Sequence, residues 1–178
     1  MDVRAQIATA VKELGLNQND FELVSLYDYE AVLTSILEKF TTLGKKGLSS
    51  TWWWEHFKGE RFTIQADYAP AIIAQILPPD ESAWFVVEDW PRTKKQGNFW
   101  LYEGKLSAVL AVIGEMYGFE YCIVAKKFDW LLCENHHSVL IGVGEAIIKK
   151  LRLLDEVTLE PSALPDAQQV ELDRRLSS

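Results

Sequence analysis

The chain has 178 residues, of which 48% are hydrophobic and 12% aromatic, and its formal net charge is −8. This composition excludes collagen-like, low-complexity and disulfide-scaffold proteins, and it is too aromatic for a disordered chain. The acidic balance argues against a nucleic-acid partner, because phosphates would be repelled. The length predicts one domain, which we place at residues 1–155, followed by a C-terminal arm at 156–178.

The predicted elements follow in this order along the chain: helix 3–14, extended piece 21–26, helix 29–43, helix 67–77, strand 83–89, strand 98–103, helix 105–117, strands 119–125, 129–134 and 139–143, and helix 144–154. Short connections make the last three strands an antiparallel meander. The pattern weakens after Asp155, and residues 167–176 are predicted to form a short charged helix.

This order predicts an α+β fold, with an antiparallel sheet of about five strands packed against N-terminal and crossover helices. No apolar run reaches the length of about 18 residues that a membrane-spanning helix needs, and the start of the chain is too polar for a signal peptide. We therefore expect a cytoplasmic protein with no membrane contact. A homodimer stays open, because apolar residues of the arm need cover.

A thiol, a carboxylate and two imidazoles lie close together at Cys133, Glu134, His136 and His137. Adjacent histidines on a tight turn are expected to diverge, and no CxxC or HExxH spacing supplies further zinc ligands. Cys133 lies in an apolar strand, where a thiol is more often a buried hydrophobe than a nucleophile. We expect no metal and no cofactor, and a small metal- or thiol-dependent enzyme centred on these four residues is the alternative.

The register of the predicted hairpin separates the two cysteines. A three-residue connection at 126–128 would place Cys122 opposite Leu132, and Tyr121 opposite Cys133. Side chains alternate between the faces of a sheet, so the two sulfurs would lie on opposite sides. No disulfide is expected.

Three consecutive indoles, Trp52, Trp53 and Trp54, cannot all face one core. At least one is expected to be exposed or to roof a groove, where it would bind a protein or stack on a small ligand. The acidic pairs Asp80-Glu81 and Glu88-Asp89 flank one strand and are typical of a solvated rim. Gly142 and Gly144 are expected to end a strand and permit close backbone approach.

Residues 128–144, with the sequence FDWLLCENHHSVLIGVG, resemble a motif of small bacterial proteins of unknown function. The resemblance extends over residues 83–144. Some such acidic α+β proteins are linked to toxin-immunity systems, so the resemblance implies a bacterial domain that neutralises a partner protein. It supplies no catalytic residues.

These observations predict a non-catalytic protein-binding domain, immunity- or antitoxin-like, that occludes a basic partner. The first alternative is the small enzyme described above. The second is a small-ligand-binding module that uses the tryptophans. The candidate binding residues are Trp52, Trp53, Trp54, Asp80, Glu81, Glu88, Asp89, Glu134, His136 and His137.

Overall fold

A seven-stranded antiparallel sheet forms the centre of the computed structural model, which describes residues 2–89, 99–116 and 118–159. The strands are β1 (Phe21–Leu23), β2 (Arg61–Gln65), β3 (Ser82–Glu88), β4 (Phe99–Lys105), β5 (Tyr121–Ala125), β6 (Leu131–Glu134) and β7 (Val139–Val143). Their order across the sheet is β1-β4-β3-β5-β6-β7-β2. The α+β class and the meander β5-β6-β7 are as predicted.

Helices cover both faces of the sheet. The described helices are α1 (Val3–Glu13), α2 (Leu26–Phe40), α3 (Ala69–Ile76), α4 (Leu106–Gly114) and α5 (Glu145–Leu159), with 3₁₀ segments at Gly44–Ser49 and Trp53–His56. One core lies between the sheet and α1, α3, α4 and α5, and we call this side the four-helix face. The other core lies under α2 and Trp53, and we call this side the α2 face.

The α2 face follows directly from the apolar stripe of its helix. Leu33, Ile36, Leu37 and Phe40 recur at helical spacing and are each at most 3% exposed. They pack with alternate residues of the strands, among them Leu101. Burial of this stripe holds the 3₁₀ segments, and therefore the tryptophans, against the sheet.

The predicted number of about five strands is too low, because neither of the two edge strands was predicted as a strand. The extended piece at 21–26 supplies β1, which pairs with β4 over three residues, from Phe21 opposite Gly104 to Leu23 opposite Tyr102. Strand β2 pairs with β7 over five residues. Its side chains alternate in burial, but Phe62 and Ile64 are only partly buried against the four-helix face, and a pattern of five residues with two apolar positions is a short signal.

The predicted register of the β5–β6 hairpin is wrong by one residue. Cys122 lies directly opposite Cys133, and Tyr121 lies opposite Glu134. The connection has an additional residue, because the Ala125 N–H donates to the Trp130 carbonyl across residues 126–129. The two thiols therefore share the α2 face, where both are buried and reduced.

The expectation for the glycine pair is confirmed at Gly144, which directly follows β7, whereas Gly142 lies within the strand. A Cβ on Gly142 would lie 2.5 Å from Leu151 Cδ1, and one on Gly144 would lie 2.4 Å from the Asp129 carbonyl oxygen. Gly144 also has a φ of +107°, which L side chains rarely adopt. Close packing of α5 on the sheet therefore depends on Gly142, and close approach of the backbone at Asp129 and Trp130 depends on Gly144.

Helix α5 continues to Leu159 and so crosses the predicted domain boundary at Asp155. Residues 160–178, including the helix predicted at 167–176, lie outside the described residues, as do Trp90 and the polar segment 91–97. Among the helices of the described ranges, none combines the length and apolar character needed to cross a bilayer.

Candidate functional site

The three tryptophans divide their roles as the sequence predicted. Trp53 is 2% exposed, donates its Nε1–H to the Gly47 carbonyl over 2.9 Å, and packs on Phe99 with a centroid distance of 4.2 Å. Trp52 and Trp54 remain half-buried. Trp52 has a φ of +54°, and this left-handed backbone turns the chain between the two half-buried indoles. Trp53 therefore anchors this segment in the core, and its neighbours Trp52 and Trp54 stay partly exposed.

Glu120 is the polar centre of the surface around these indoles. It immediately precedes β5 and is 6% exposed. Its Oε1 accepts the Trp54 Nε1–H over 3.2 Å and the His136 backbone N–H over 3.1 Å, and His136 Nδ1 contacts the same oxygen. Its Oε2 is also buried, and within the described ranges it makes no hydrogen bond. A buried carboxylate oxygen without a donor is costly and indicates a place for a further group.

The two histidines are held in place by Asn135. The side-chain oxygen of Asn135 accepts the backbone N–H groups of His137 over 3.0 Å and Val139 over 3.1 Å. Ser138 completes the turn with a φ of +55°. The histidine rings lie only 4.0 Å apart between centroids, so the expected divergence is wrong. Both rings are within about 6 Å of Trp54, at 5.9 and 6.1 Å.

Glu88 links this cluster to β3. Its Oε2 accepts the Trp52 backbone N–H over 3.1 Å, and its own backbone N–H donates to the Glu120 carbonyl over 3.1 Å. The two glutamates are thus cross-strand neighbours on the α2 face, and their charges give that end of the sheet a negative field. We call the set formed by Trp52, Trp54, Glu88, Glu120, His136 and His137 the tryptophan–histidine site.

A small cavity lies directly beneath this site. Its volume is about 10 Å³, which is close to the space of one water molecule. Trp54, Glu120, Cys122 and Cys133 are among the residues that line it. The rest of the lining is mainly apolar and includes Trp53, Val86 and Phe99, and its acidic members are Glu88 and Glu120.

The structure does not bring all the predicted binding residues together. Asp80 and Glu81 precede β3, whereas Glu88 and Asp89 lie at its far end, roughly 20 Å away along a seven-residue strand. Glu88 and Asp89 are 5% and 1% exposed, so the expectation of a solvated rim is wrong for this pair. Asp89 points to the four-helix face, where it accepts the Trp100 Nε1–H over 2.8 Å. Trp100 therefore lies on the opposite face of the sheet from Trp54 and Glu120.

Glu134 also lies apart from the histidines that follow it. It faces the four-helix side and accepts the Tyr121 hydroxyl over 2.5 Å. Burial raises the pKa of the Glu134 carboxyl above its usual range, and burial together with this neighbouring carboxylate raises the pKa of Tyr121. Burial also raises the pKa of Glu81 at the other end of β3.

Cys133 is poorly suited to nucleophilic chemistry. It is 2% exposed, and a hydrogen bond with Cys122 together with burial raises the pKa of its thiol well above the usual value. The thiolate is the reactive form, so a raised pKa removes reactivity at neutral pH. Among the His, Cys, Asp and Glu residues that the structure describes, no group of three is placed to hold a metal ion.

A second, wider groove of about 800 Å³ runs beside α5. Its charged lining residues are Lys39, Lys58, Lys149 and Arg152 with Glu60, Asp129, Glu145 and Glu156. Arg152 already pairs with Glu60 at 2.8 Å. Equal numbers of basic and acidic groups give this groove no preference for ligands of either charge.

Sequence reasoning missed Glu120, which organises the site. A signal for it existed, because Glu120 stands inside an apolar strand prediction, two residues before Cys122 and on the same face. An acid in such a position must find buried donors or a cation. Its donors come from Trp54 and His136, which the sequence alone does not place beside it.

The fold and the site define a layered α+β protein whose central antiparallel sheet carries an indole- and imidazole-rimmed carboxylate at one end. A family model described as a family of unknown function, DUF6756, matches residues 1–155, so the chain belongs to that family. The chain matches no curated protein and no solved structure. Membership of a family of unknown function agrees with the resemblance noted in the sequence and assigns no activity.

Proposed function

We propose that this protein is a non-catalytic binding domain that docks a basic partner protein on the tryptophan–histidine site. The observation that carries the proposal is the grouping of two half-buried indoles and two exposed imidazoles around the buried carboxylate of Glu120. Three separate chain segments supply these groups. Tryptophan is enriched among the residues that dominate binding energy at protein interfaces.

The charge of the chain supports a basic partner. A net charge of −8 accelerates association with a basic protein through long-range attraction. Glu88 and Glu120 add a local negative field at the site itself. An immunity- or antitoxin-like role is the form of this proposal that the sequence resemblance suggests, with a basic toxin as the partner.

The two alternatives receive less support from the geometry. The thiol-dependent enzyme would need a reactive Cys133, and that thiol is buried with a raised pKa. A small-ligand module would need a pocket of about 300–1,000 Å³ for a drug-sized ligand. The cavity beneath the tryptophans is about 10 Å³.

The test compares three forms of the tagged protein in lysate of the source organism, followed by native mass spectrometry. These are wild type, the double variant Trp52→Ala/Trp54→Ala, and the control Tyr68→Ala, which removes an aromatic side chain that is 55% exposed on another surface. We expect wild type and the control to retain one stoichiometric basic protein, and the double variant to lose it. Retention of that protein by the double variant would contradict the proposal, and a nuclease-like partner would favour the immunity role.

A further inference from the structure

The cavity beneath Trp54 is a mainly apolar space whose lining contains two acidic residues, Glu88 and Glu120. Glu120 lines it and is 6% exposed. One carboxylate oxygen already receives donors from Trp54 and His136, while the other is buried and makes no hydrogen bond within the described residues. Glu88 is a cross-strand neighbour, so the field at the cavity is negative. A donor that carries positive charge would satisfy both the oxygen and the field.

The size of the cavity selects among cations. Its volume of about 10 Å³ corresponds to about one water molecule. An ammonium group is a compact point charge of about that size, whereas a guanidinium group is a planar fork that needs more room and a bidentate acceptor. Because Oε1 of Glu120 is already occupied, only one oxygen is available. These features favour a primary ammonium over a guanidinium group.

Elsewhere on the α2 face of this protein, an indole and a carboxylate together hold an ammonium group. The Lys126 ammonium lies over the Trp84 ring, 3.0 Å from its centroid, and pairs with the carboxylate of Glu103. An indole face and a carboxylate together stabilise an ammonium group through cation–π attraction and a charge-assisted hydrogen bond. At the tryptophan–histidine site the indole and the carboxylate are present in Trp54 and Glu120.

We propose that the site receives the ammonium group of a lysine side chain from the partner, at Oε2 of Glu120 beneath Trp54. This inference rests on the proposed function, because it names the group by which the partner is recognised. The methylene chain of the lysine contacts the half-buried indoles, as long basic side chains do on apolar surfaces. His136 holds the carboxylate in place through Oε1 and leaves Oε2 for the incoming group.

The experiment titrates the full-length protein with Nα-acetyl-lysine methylamide while the indole N–H signals are followed by NMR. The arginine and norleucine analogues test the charge and shape of the head group. Methylammonium tests a free small amine, and potassium chloride tests an inorganic cation. We expect the lysine probe to shift the Trp54 Nε1–H signal saturably and to bind about 10-fold more tightly than every other probe.

Two variants test the residue assignment. Glu120→Gln keeps the acceptor for Trp54 and His136 but removes the charge, and we expect it to weaken binding of the lysine probe about 10-fold. Glu22→Gln removes the same net charge from an exposed position and should leave binding unchanged. Cys133→Leu fills the cavity without changing any charge and should also abolish binding, which provides a second variant if Glu120→Gln fails to fold.

If the arginine, norleucine, methylammonium or potassium probe binds as tightly as the lysine probe, the lysine assignment is wrong. It is also wrong if a folded Glu120→Gln variant binds the lysine probe as tightly as wild type does. Partner capture separates this failure from failure of the proposed function. If Glu120→Gln captures the partner as wild type does while Trp52→Ala/Trp54→Ala does not, the lysine inference is wrong and the docking surface stands. If the tryptophan variant captures the partner as well, the docking surface is wrong whatever the probe shows.

Discussion

Glu120 and His136 are joined twice across the end of the sheet, by the backbone N–H of His136, which donates to Oε1 over 3.1 Å, and by the contact of its Nδ1 with the same oxygen. The first link does not depend on the protonation of the imidazole. A carboxylate that precedes β5 thereby fixes the turn that follows β6. Glu120 thus has a structural role beside the one proposed for binding.

This structural role predicts different effects for two substitutions at one position. Glu120→Ala leaves the part-buried Trp54 Nε1–H and the His136 N–H without their acceptor and should cost about 2 kcal/mol in the free energy of unfolding. Glu120→Gln keeps an acceptor oxygen and should cost less than about 1 kcal/mol. Urea denaturation followed by tryptophan fluorescence measures both values. Equal stability of the alanine variant and wild type would show that Glu120 does not hold the turn.

The two cysteines should be inert in the native protein. Both are buried, and the pKa of Cys133 is raised by its hydrogen bond with Cys122 and by burial. We expect little reaction with Ellman's reagent at pH 7.5 in native buffer, and reaction of both thiols after unfolding in urea. The unfolded sample is the internal control. Rapid labelling of Cys133 in the native state would instead revive the hypothesis of a thiol-dependent enzyme.

Tyr121 should make stability sensitive to alkaline pH. Its pKa is raised in the folded state by burial and by Glu134, so folding favours the neutral phenol. The stabilisation is fully present below the unfolded value of about 10 and is lost as the pH rises through the folded pKa. Absorbance at 295 nm should show Tyr121 ionising only together with unfolding. Ionisation of all six tyrosines of the chain before unfolding would contradict this expectation.

Tyr121→Phe tests the same interaction at neutral pH. The substitution removes the hydroxyl that donates to Glu134 and should cost about 1 kcal/mol of stability at pH 7. It should also reduce the loss of stability above pH 10. Tyr27→Phe is the matched control, because the Tyr27 side chain is 97% exposed. Thermal or urea unfolding of the two variants side by side gives the comparison.

Gly144→Ala should destabilise the protein by about 3 kcal/mol. A Cβ at this position would meet the Asp129 carbonyl oxygen at 2.4 Å, and the φ of +107° is unfavourable for alanine. Gly59→Ala separates the two causes, since Gly59 has a φ of +80° but nothing within 4 Å of its Cβ position. We expect about 1 kcal/mol for that control. Similar losses for both variants would mean that backbone strain alone explains the effect.

Sequence patterns correctly predicted the features that depend on residues close together along the chain. The α2 stripe from Leu33 to Phe40 and the meander could be read from periodicity and short connections. The division of labour among Trp52, Trp53 and Trp54 also follows from sterics, because consecutive side chains cannot share one core. These predictions needed no information on distant partners.

The failures concern one unmarked turn and two features that depend on contacts between distant segments. The hairpin register depends on a turn in which Phe128 adopts a φ of +56°, and no glycine marks that position in the sequence. Strand β2 is defined by pairing with β7, which lies about eighty residues later. Glu120 is organised by Trp54, 66 residues away. Side-chain alternation alone cannot supply such pairings.

Strands β1 and β2 lie at opposite margins of the sheet, and this limits which fragments of the chain can be stable alone. Strands β3 to β7 occupy the middle of the sheet, and the two strands from the first 65 residues close its two sides. A fragment that begins after Gln65 would expose backbone donors and acceptors on both β4 and β7, and such open edges promote self-association. The margins are covered only when segments from the first 65 residues pair with both β4 and β7.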